Sequence, residues 1–190
     1  MIFLDPELEP DPAPASAARA AGSVRYSLRV PSRRTLAAFL RAAQAEVRLR
    51  RGVSVLLTTD RAIRKLNRHF RGIDKATDVL SFPAADAIAG VDGDLAIGVP
   101  TALRQAAEQG HSLGIEIKIL ILHGLLHLAG YDHEIDDGRM ARRERVLRAR
   151  LGLPQGLIER SAVAKARADF GARAARLKSR PDTKLSSRSR

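Results

Sequence analysis

At 190 residues the chain is long enough for one domain with terminal segments, and its 45% hydrophobic content supports a buried core. The absence of cysteine excludes a disulfide framework and a thiolate metal site, so any transition metal must be held by imidazole and carboxylate groups. The formal net charge of +12 favours a polyanionic partner, for which RNA is the natural candidate. The alternative is a basic surface that is exposed to solvent and binds no partner.

Charge and composition divide the chain into three parts. Residues 1–22 are acidic and rich in proline, and we expect them to be flexible. Residues 23–160 are predicted to form the folded domain. Residues 161–190 carry nine Lys or Arg against two Asp, which predicts a basic, flexible tail.

The sequence shows no membrane or targeting signal. No apolar run reaches the length of about 18 residues that suggests a membrane span. The N-terminal segment MIFLDPELEPDPAPAS lacks the basic region and the long apolar region of a signal peptide. We therefore expect a cytoplasmic protein with no membrane partner.

The first half of the folded domain is predicted to contain two strands and two helices. Residues 24–30 alternate apolar and polar positions, as a half-buried strand does. A helix follows over residues 33–50, and the β-branched content of residues 53–58 predicts a buried strand. A short helix then begins at Thr59 or Asp60.

The middle of the domain is richer in loops. A loop over residues 68–77 is predicted to lead into a strand over residues 78–83. A turn-rich stretch over residues 84–93 precedes another strand, over residues 93–99. The next helix is predicted to begin with Thr101 as its cap.

Two helices complete the domain. Residues 115–129 are apolar nearly all round, which predicts a helix in the middle of the core, and Gly130 fits its end. Residues 136–150 predict an amphipathic helix whose apolar side includes Val146. Strands and helices intermix without strict alternation, so the predicted class is α+β, a single domain with a small mixed β-sheet packed with helices around the helix 115–129.

Three histidines lie within the eleven-residue segment HGLLHLAGYDH. His123 and His127 are four residues apart, so a helix places both on one face. Gly130 allows the chain to reverse, and His133 can return as a third ligand. The spacing matches that of the metzincin zinc proteases, and three protein ligands leave a fourth position for water. We predict one Zn²⁺ ion at these histidines, although nickel and copper suit the same ligands.

The residue that follows the first histidine distinguishes this segment from the zinc proteases. In the HExxH proteases that residue is a glutamate, which acts as general base. Here it is Gly124, which argues against a peptidase. Hydrolysis is still feasible, because three neutral imidazoles leave the charge of the ion uncompensated and so lower the pKa of its water to about 7.

Several segments, taken in order, resemble the YbeY family of bacterial endoribonucleases. They are LNRHFRG at residues 66–72, TDVLSFP at 77–83, GDLAI at 93–97 and the histidine segment, and the similarity covers roughly residues 24–158. The resemblance implies a zinc-dependent endoribonuclease specific for single strands, which acts in 3′-end maturation of small-subunit ribosomal RNA and in ribosome quality control. It implies ribosomal RNA and the small ribosomal subunit as partners, and no DNA.

The resemblance also assigns roles to individual residues. It implies that His123, His127 and His133 hold the metal and that Arg71 is the family's functionally important arginine, with a catalytic role. Taken alone, Arg71 is more simply explained as a loop arginine in ordinary salt bridges. A guanidinium at this position could grip two phosphate oxygens at once, which a lysine could not match.

Three acidic residues are further candidates near the site. Asp78 can hold a histidine or, more simply, cap a backbone loop. Asp132 can accept a hydrogen bond from an imidazole N–H or shape the turn. Glu116 lies seven residues before His123. It can act as a distant base or supporting group of the site, or it can be an exposed carboxylate at the start of a helix.

Two other functions stay open from the residues alone. One is a ribosome-associated RNA-binding factor with a structural zinc, which would need a fourth protein ligand, and the sequence offers no obvious one. The other is a metallopeptidase-like hydrolase, which Gly124 disfavours.

Overall fold

A computed structural model of the chain describes residues 1–8, 30–85, 90–133 and 135–155. The strands in this part are β1 (Ile2–Leu4), β2 (Gly52–Thr58), β3 (Val79–Pro83) and β4 (Val91–Gly98). The helices are α1 (Arg33–Val47), α2 (Asp60–Arg71), α3 (Val99–Gln109), α4 (Leu113–Leu128) and α5 (Arg139–Arg150), and a 3-10 turn at Pro6–Leu8 follows β1. Residues Met1–Pro154 form one unit, and a second unit, Gln155–Arg190, is described only at Gln155.

The described strands form one mixed sheet in the order β1-β2-β4-β3. Strands β1 and β4 flank β2 and run parallel to it, whereas β3 pairs antiparallel with β4 and forms an edge. Leu95 of β4 is paired with Val55 on one side and with Ser81 of β3 on the other. The predicted α+β class with a small mixed sheet is confirmed.

The two faces of the sheet are covered by different helices, because successive strand residues point to opposite sides. Buried residues such as Val55 and Leu95 face the main core, which they share with α1, α3 and α4. Helix α4 is buried nearly all round, as its sequence predicts. On the other face, Leu80 and Ala96 pack with Ile63 of α2 in a smaller core.

Helix α2 is longer than predicted. The prediction of a loop over residues 68–77 is wrong for residues 68–71, which form the last turn of α2. The helix ends at Gly72, whose φ of 72° is left-handed and whose N–H bonds back to the carbonyl of Arg68. The side chain of Asn67 donates to the carbonyl of Lys75 at 2.8 Å and so holds the following loop against the helix.

Helix α3 begins before the predicted cap. Its first residues are Val99 and a proline, and Gly98 is the N-cap, so the prediction of Thr101 as the cap is wrong. The capping role is filled from another helix, because Asp60 Oδ1 accepts hydrogen bonds from the Thr101 backbone N–H at 3.1 Å and from its hydroxyl at 2.8 Å.

The last helix is shorter than predicted and packs differently. Asp136 accepts a hydrogen bond from the N–H of Met140 at 2.7 Å, and α5 therefore begins at Arg139 instead of residue 136. Met140 and Leu147 are fully buried, as predicted, but Val146 is 46% exposed, so its assignment to the apolar side is wrong.

The N-terminal strand was not predicted. Ile2–Leu4 lies in the segment 1–22 that was expected to be flexible, yet it pairs in parallel with residues 55–57 of β2. The reason is non-local, since three residues carry no periodicity and the pairing partner lies more than 50 positions away. The strand predicted over residues 24–30 falls outside the described residues except for its last position, and the predicted domain boundaries stay predictions.

None of the described helices is by itself long and apolar enough to cross a membrane. Helices α3 and α4 are long and apolar enough to span a membrane only when they are taken together, and the two helices are bent by 110° at the break between them.

We expect Asp60→Ala to lower the free energy of unfolding by about 1–2 kcal/mol, because it removes the cap of α3. Asp74→Ala is the matched control, since Asp74 forms an exposed ion pair with Arg64 of α2, and this variant should unfold almost like the wild type. Urea denaturation measures both. Equal losses in the two variants would contradict the capping role.

Candidate metal centre

The structure brings the three predicted histidines together. Helix α4 places His123 and His127 one turn apart, and the chain reverses at Gly130, whose φ of 84° is left-handed. His133 returns toward the helix, so that one ring nitrogen from each histidine lies within 4.8 Å of the other two. Among the described residues this is the one cluster of metal-ligating side chains.

The spacing of these nitrogens fits a tetrahedral metal ion. The Nε2 atoms of His123 and His127 are 3.3 Å apart. Two nitrogens bound to zinc at about 2.0–2.1 Å with a tetrahedral angle would be separated by about 3.3–3.4 Å. His133 is exposed and completes the triad from the loop, so three imidazoles can hold one ion with a position left for another ligand.

The protonation of His127 also favours metal binding. Burial lowers the pKa of His127, and the neighbouring imidazoles of His123 and His133 lower it further, against the raising effect of the Asp132 charge and of a hydrogen bond with the Tyr131 backbone. A metal ligand must be a neutral imidazole. The site therefore keeps His127 in the form that a metal ion requires.

Glu144 of α5 is a residue that the sequence analysis missed. Its Oε2 atom accepts a hydrogen bond from Nδ1–H of His123 at 3.0 Å, which directs Nε2 of His123 toward the other two histidines. Its other oxygen accepts hydrogen bonds from the guanidinium of Arg148. A signal was present, because Glu144 is the one carboxylate in an arginine-rich helix and lies four residues before Arg148.

Glu144 stays ionised in this position. Burial favours its neutral form, but the hydrogen bond with His123 and the charge of Arg148 outweigh burial and hold the pKa of Glu144 below its usual value. The carboxylate therefore remains an acceptor for the His123 N–H and sets the orientation of that ring.

Gly124 occupies the position of the protease glutamate for a packing reason. A Cβ atom at Gly124 would lie 2.7 Å from Leu95 of β4 and 3.2 Å from the hydroxyl of Ser81. That hydroxyl donates to the Gly124 carbonyl at 3.3 Å. The helix lies so close to the sheet that a glutamate side chain has no room here.

The histidines face a cavity of about 580 Å³, and Arg71 also lines it. Arg71 is the last residue of α2 and is exposed, and among the described residues it has no ion pair. The ordinary explanation of Arg71 as a salt-bridged arginine therefore has no support in this part of the chain. From this position the Arg71 guanidinium can bind an anion beside the histidines.

The three acidic candidates have different outcomes. Asp78 lines the cavity, but it accepts hydrogen bonds from Thr77, from the backbone of Val79 and from Gln105, so among the described residues it holds the loop before β3 and not a histidine. Asp132 lines the cavity and acts on His127 through its charge.

Glu116 is neither a supporting group of the site nor an exposed carboxylate, so both interpretations are wrong. It is buried and pairs with the ring Nε2 of His111, to which the sequence analysis assigned no role. The pair lies at the start of α4, and neither residue lines the histidine cavity.

A mixed sheet, a buried helix and a cavity with three histidines and an arginine define a small α+β protein with a candidate metal centre. The comparisons with known proteins specify it further. The family model described as Endoribonuclease YbeY matches residues 27–152, and the chain belongs to the YbeY family.

Two relatives named Endoribonuclease YbeY illustrate the similarity. The protein of Koribacter versatilis (strain Ellin345) is 52% identical over 130 residues, which cover 68% of this chain and 84% of the relative. That of Solibacter usitatus (strain Ellin6076) is 54% identical over 122 residues, which cover 64% and 81%. The solution structure of TM1509 from Thermotoga maritima is 30% identical, with a TM-score of 0.43, and the match covers 60% of this chain and 79% of that one.

We expect Glu144→Ala to weaken metal binding by roughly 10- to 100-fold, because His123 loses the group that orients it. Glu144→Gln keeps an acceptor without the charge and should be intermediate. Competition with a chromophoric chelator measures the affinity. Glu46→Gln is the control, since Glu46 pairs with Arg150 at the far end of α5, and an equal loss in this variant would contradict the role of Glu144.

The pH dependence of the metal-free chain follows from His127. Its folded-state pKa lies below the unfolded value of 6.5, so the unfolded chain takes up the proton first as the pH falls. The free energy of unfolding should therefore decrease as the pH drops from about 6.5 toward the folded pKa. NMR titration and urea denaturation of wild type and His127→Gln measure this effect, and titration of His127 at or above 6.5 would contradict it.

Proposed function

We propose that this chain is a zinc-dependent endoribonuclease, specific for single strands, that acts in the cytoplasm on the 3′ end of small-subunit ribosomal RNA and in ribosome quality control. Membership of the YbeY family supports a nuclease. The observation that carries the proposal is the cavity in which three imidazoles and the Arg71 guanidinium lie together.

Each group in the cavity has a role in phosphodiester cleavage. His123, His127 and His133 would hold the ion, which when bound supplies a Lewis acid beside the phosphate. Arg71 can bind two phosphate oxygens with a bidentate fork and stabilise the charge that develops on them. Glu144 fixes the ring of His123, so the ligand set is oriented before substrate arrives.

The size of the cavity is compatible with a single-stranded substrate. About 580 Å³ is in the range of sites for small ligands, so it suits one stretch of backbone with its bases turned outward. Single strands are also the form in which bases are free for contacts to protein.

The two alternatives are less well supported. A structural zinc would need a fourth protein ligand, and the cluster found among the described residues has three. A peptidase of the HExxH kind would need a glutamate where Leu95 and Ser81 leave room only for Gly124.

Cleavage of a single-stranded fragment from the 3′ end of small-subunit ribosomal RNA tests the proposal. We expect His127→Ala to lose both metal and cleavage. Arg71→Lys should retain metal and lose roughly 10²- to 10³-fold in rate, as expected for the removal of one charge-stabilising donor. Arg64→Lys is the matched control in the same helix, because Arg64 is paired with Asp74 and does not line the cavity.

Three outcomes would contradict parts of the proposal. Full activity of Arg71→Lys would remove Arg71 from the site. Equal cleavage by wild type and His127→Ala would assign the activity to a contaminant. Tight RNA binding without cleavage by the wild type would favour the RNA-binding factor with a structural zinc.

A further inference from the structure

Phe70 is a large apolar residue at an exposed position. It lies in the last turn of α2 and is 60% exposed, although a phenylalanine is normally buried. Its ring makes T-shaped contacts with Phe82 at 4.9 Å and with His69 at 4.6 Å between ring centroids. These contacts hold the ring in one orientation without covering it.

Phe70 is next in the chain to a residue of the histidine cavity. The next residue, Arg71, lines the histidine cavity. Phe82 is in edge strand β3, and its neighbours Ser81 and Pro83 line that same cavity, whereas Phe82 lines a second groove on the other face of the sheet. A polymer that passes from the cavity over the edge of β3 can therefore reach Phe82 and Phe70.

The charges near this groove are of both signs. The last turn of α2, which includes Phe70, carries Arg68, His69 and Arg71. Asp5, which follows β1 at the opposite edge of the sheet, also lines the groove, and so does Asp94 of β4, which is paired in register with Phe82. A phosphate backbone is therefore attracted to the last turn of α2 and repelled from the two carboxylates that line the groove, so only a base can enter the groove.

We propose that Phe70, supported by Phe82, stacks on an unpaired nucleobase of the RNA next to the phosphate bound at the metal centre. The inference rests on the proposed function and specifies how its substrate is held. An exposed aromatic ring beside cationic side chains is the combination by which proteins bind single-stranded nucleic acid. Stacking needs a base that is not already paired, so this site selects single strands over duplexes.

The nucleobase accounts for these observations better than an apolar protein segment does. The groove measures about 910 Å³ and has an apolar floor, which alone would suit either occupant. The aromatic ring belongs to the basic last turn of α2, one residue before the arginine that lines the histidine cavity. A polyanion with flat apolar bases matches both features together.

A single tryptophan provides the test, because the chain contains none. Phe70→Trp keeps an aromatic ring at the site, and single-stranded oligoadenylate should quench its fluorescence. The same oligonucleotide in a duplex should quench it little. Phe3→Trp, in β1 at the opposite edge of the sheet but in the same groove, is the matched control and should not be quenched. The titrations use the full chain. Each tryptophan variant is measured alone and combined with His127→Ala, a change that we expect to abolish cleavage during the binding measurement.

Affinity measurements with altered RNA complete the test. We expect Phe70→Ala to bind the single strand roughly five- to 150-fold more weakly than wild type, the range of one stacked base, while Phe70→Trp retains its affinity. Wild type should lose a similar factor when one nucleotide near the cleaved bond is abasic. Phe70→Ala should be insensitive to that abasic position.

The outcomes separate this inference from the proposed function. If Phe70→Ala binds and cleaves single-stranded RNA like the wild type, the stacking site is overturned and the proposed nuclease activity stands. This result is expected if the groove binds a protein segment and not RNA. Quenching of Phe3→Trp as strong as that of Phe70→Trp would also overturn it. If the wild type neither binds nor cleaves RNA, both proposals fail.

Discussion

The site depends on the close approach of helix α4 to the sheet at Gly124. A methyl group there would meet Leu95 at 2.7 Å, and the hydroxyl of Ser81 already bonds to the Gly124 carbonyl. Because this contact sets the height of the helix over edge strand β3, it places His123 and His127 beside the cavity wall. The same contact removes the space for the base used by zinc proteases. Packing thus determines both where the ligands lie and which chemistry they can support.

The ligand set is held from a second direction by α5. Glu144 connects His123 to Arg148, and Arg143 donates to the backbone of Glu46 in α1 at 2.9 Å. Several arginines of this helix therefore bind protein groups, and the formal charge overstates what is free to attract a polyanion. These contacts explain how so basic a helix can pack next to a candidate metal centre, where unpaired positive charge would oppose binding of a cation.

Edge strand β3 gives the proposed substrate path its direction. Residues of one short strand line both the histidine cavity, at residues 79–81 and Pro83, and the second groove, at Phe82, so the two surfaces meet at the edge of the sheet. An edge strand is accessible from the side. The end of α2 lies at this edge with both Phe70 and Arg71, which combines an apolar contact for a base with a cation for a phosphate.

The sequence by itself determined the fold class, most of the elements and the three histidines. These signals are local, because the i, i+4 spacing and a following glycine specify the triad within eleven residues. Only the tertiary structure decided that Glu144 supports His123 and that Glu116 pairs with His111. It also added β1 to the sheet. Such contacts join residues whose patterns resemble surface ion pairs or flexible termini, and the packing of distant elements, which no local pattern encodes, selects the partners.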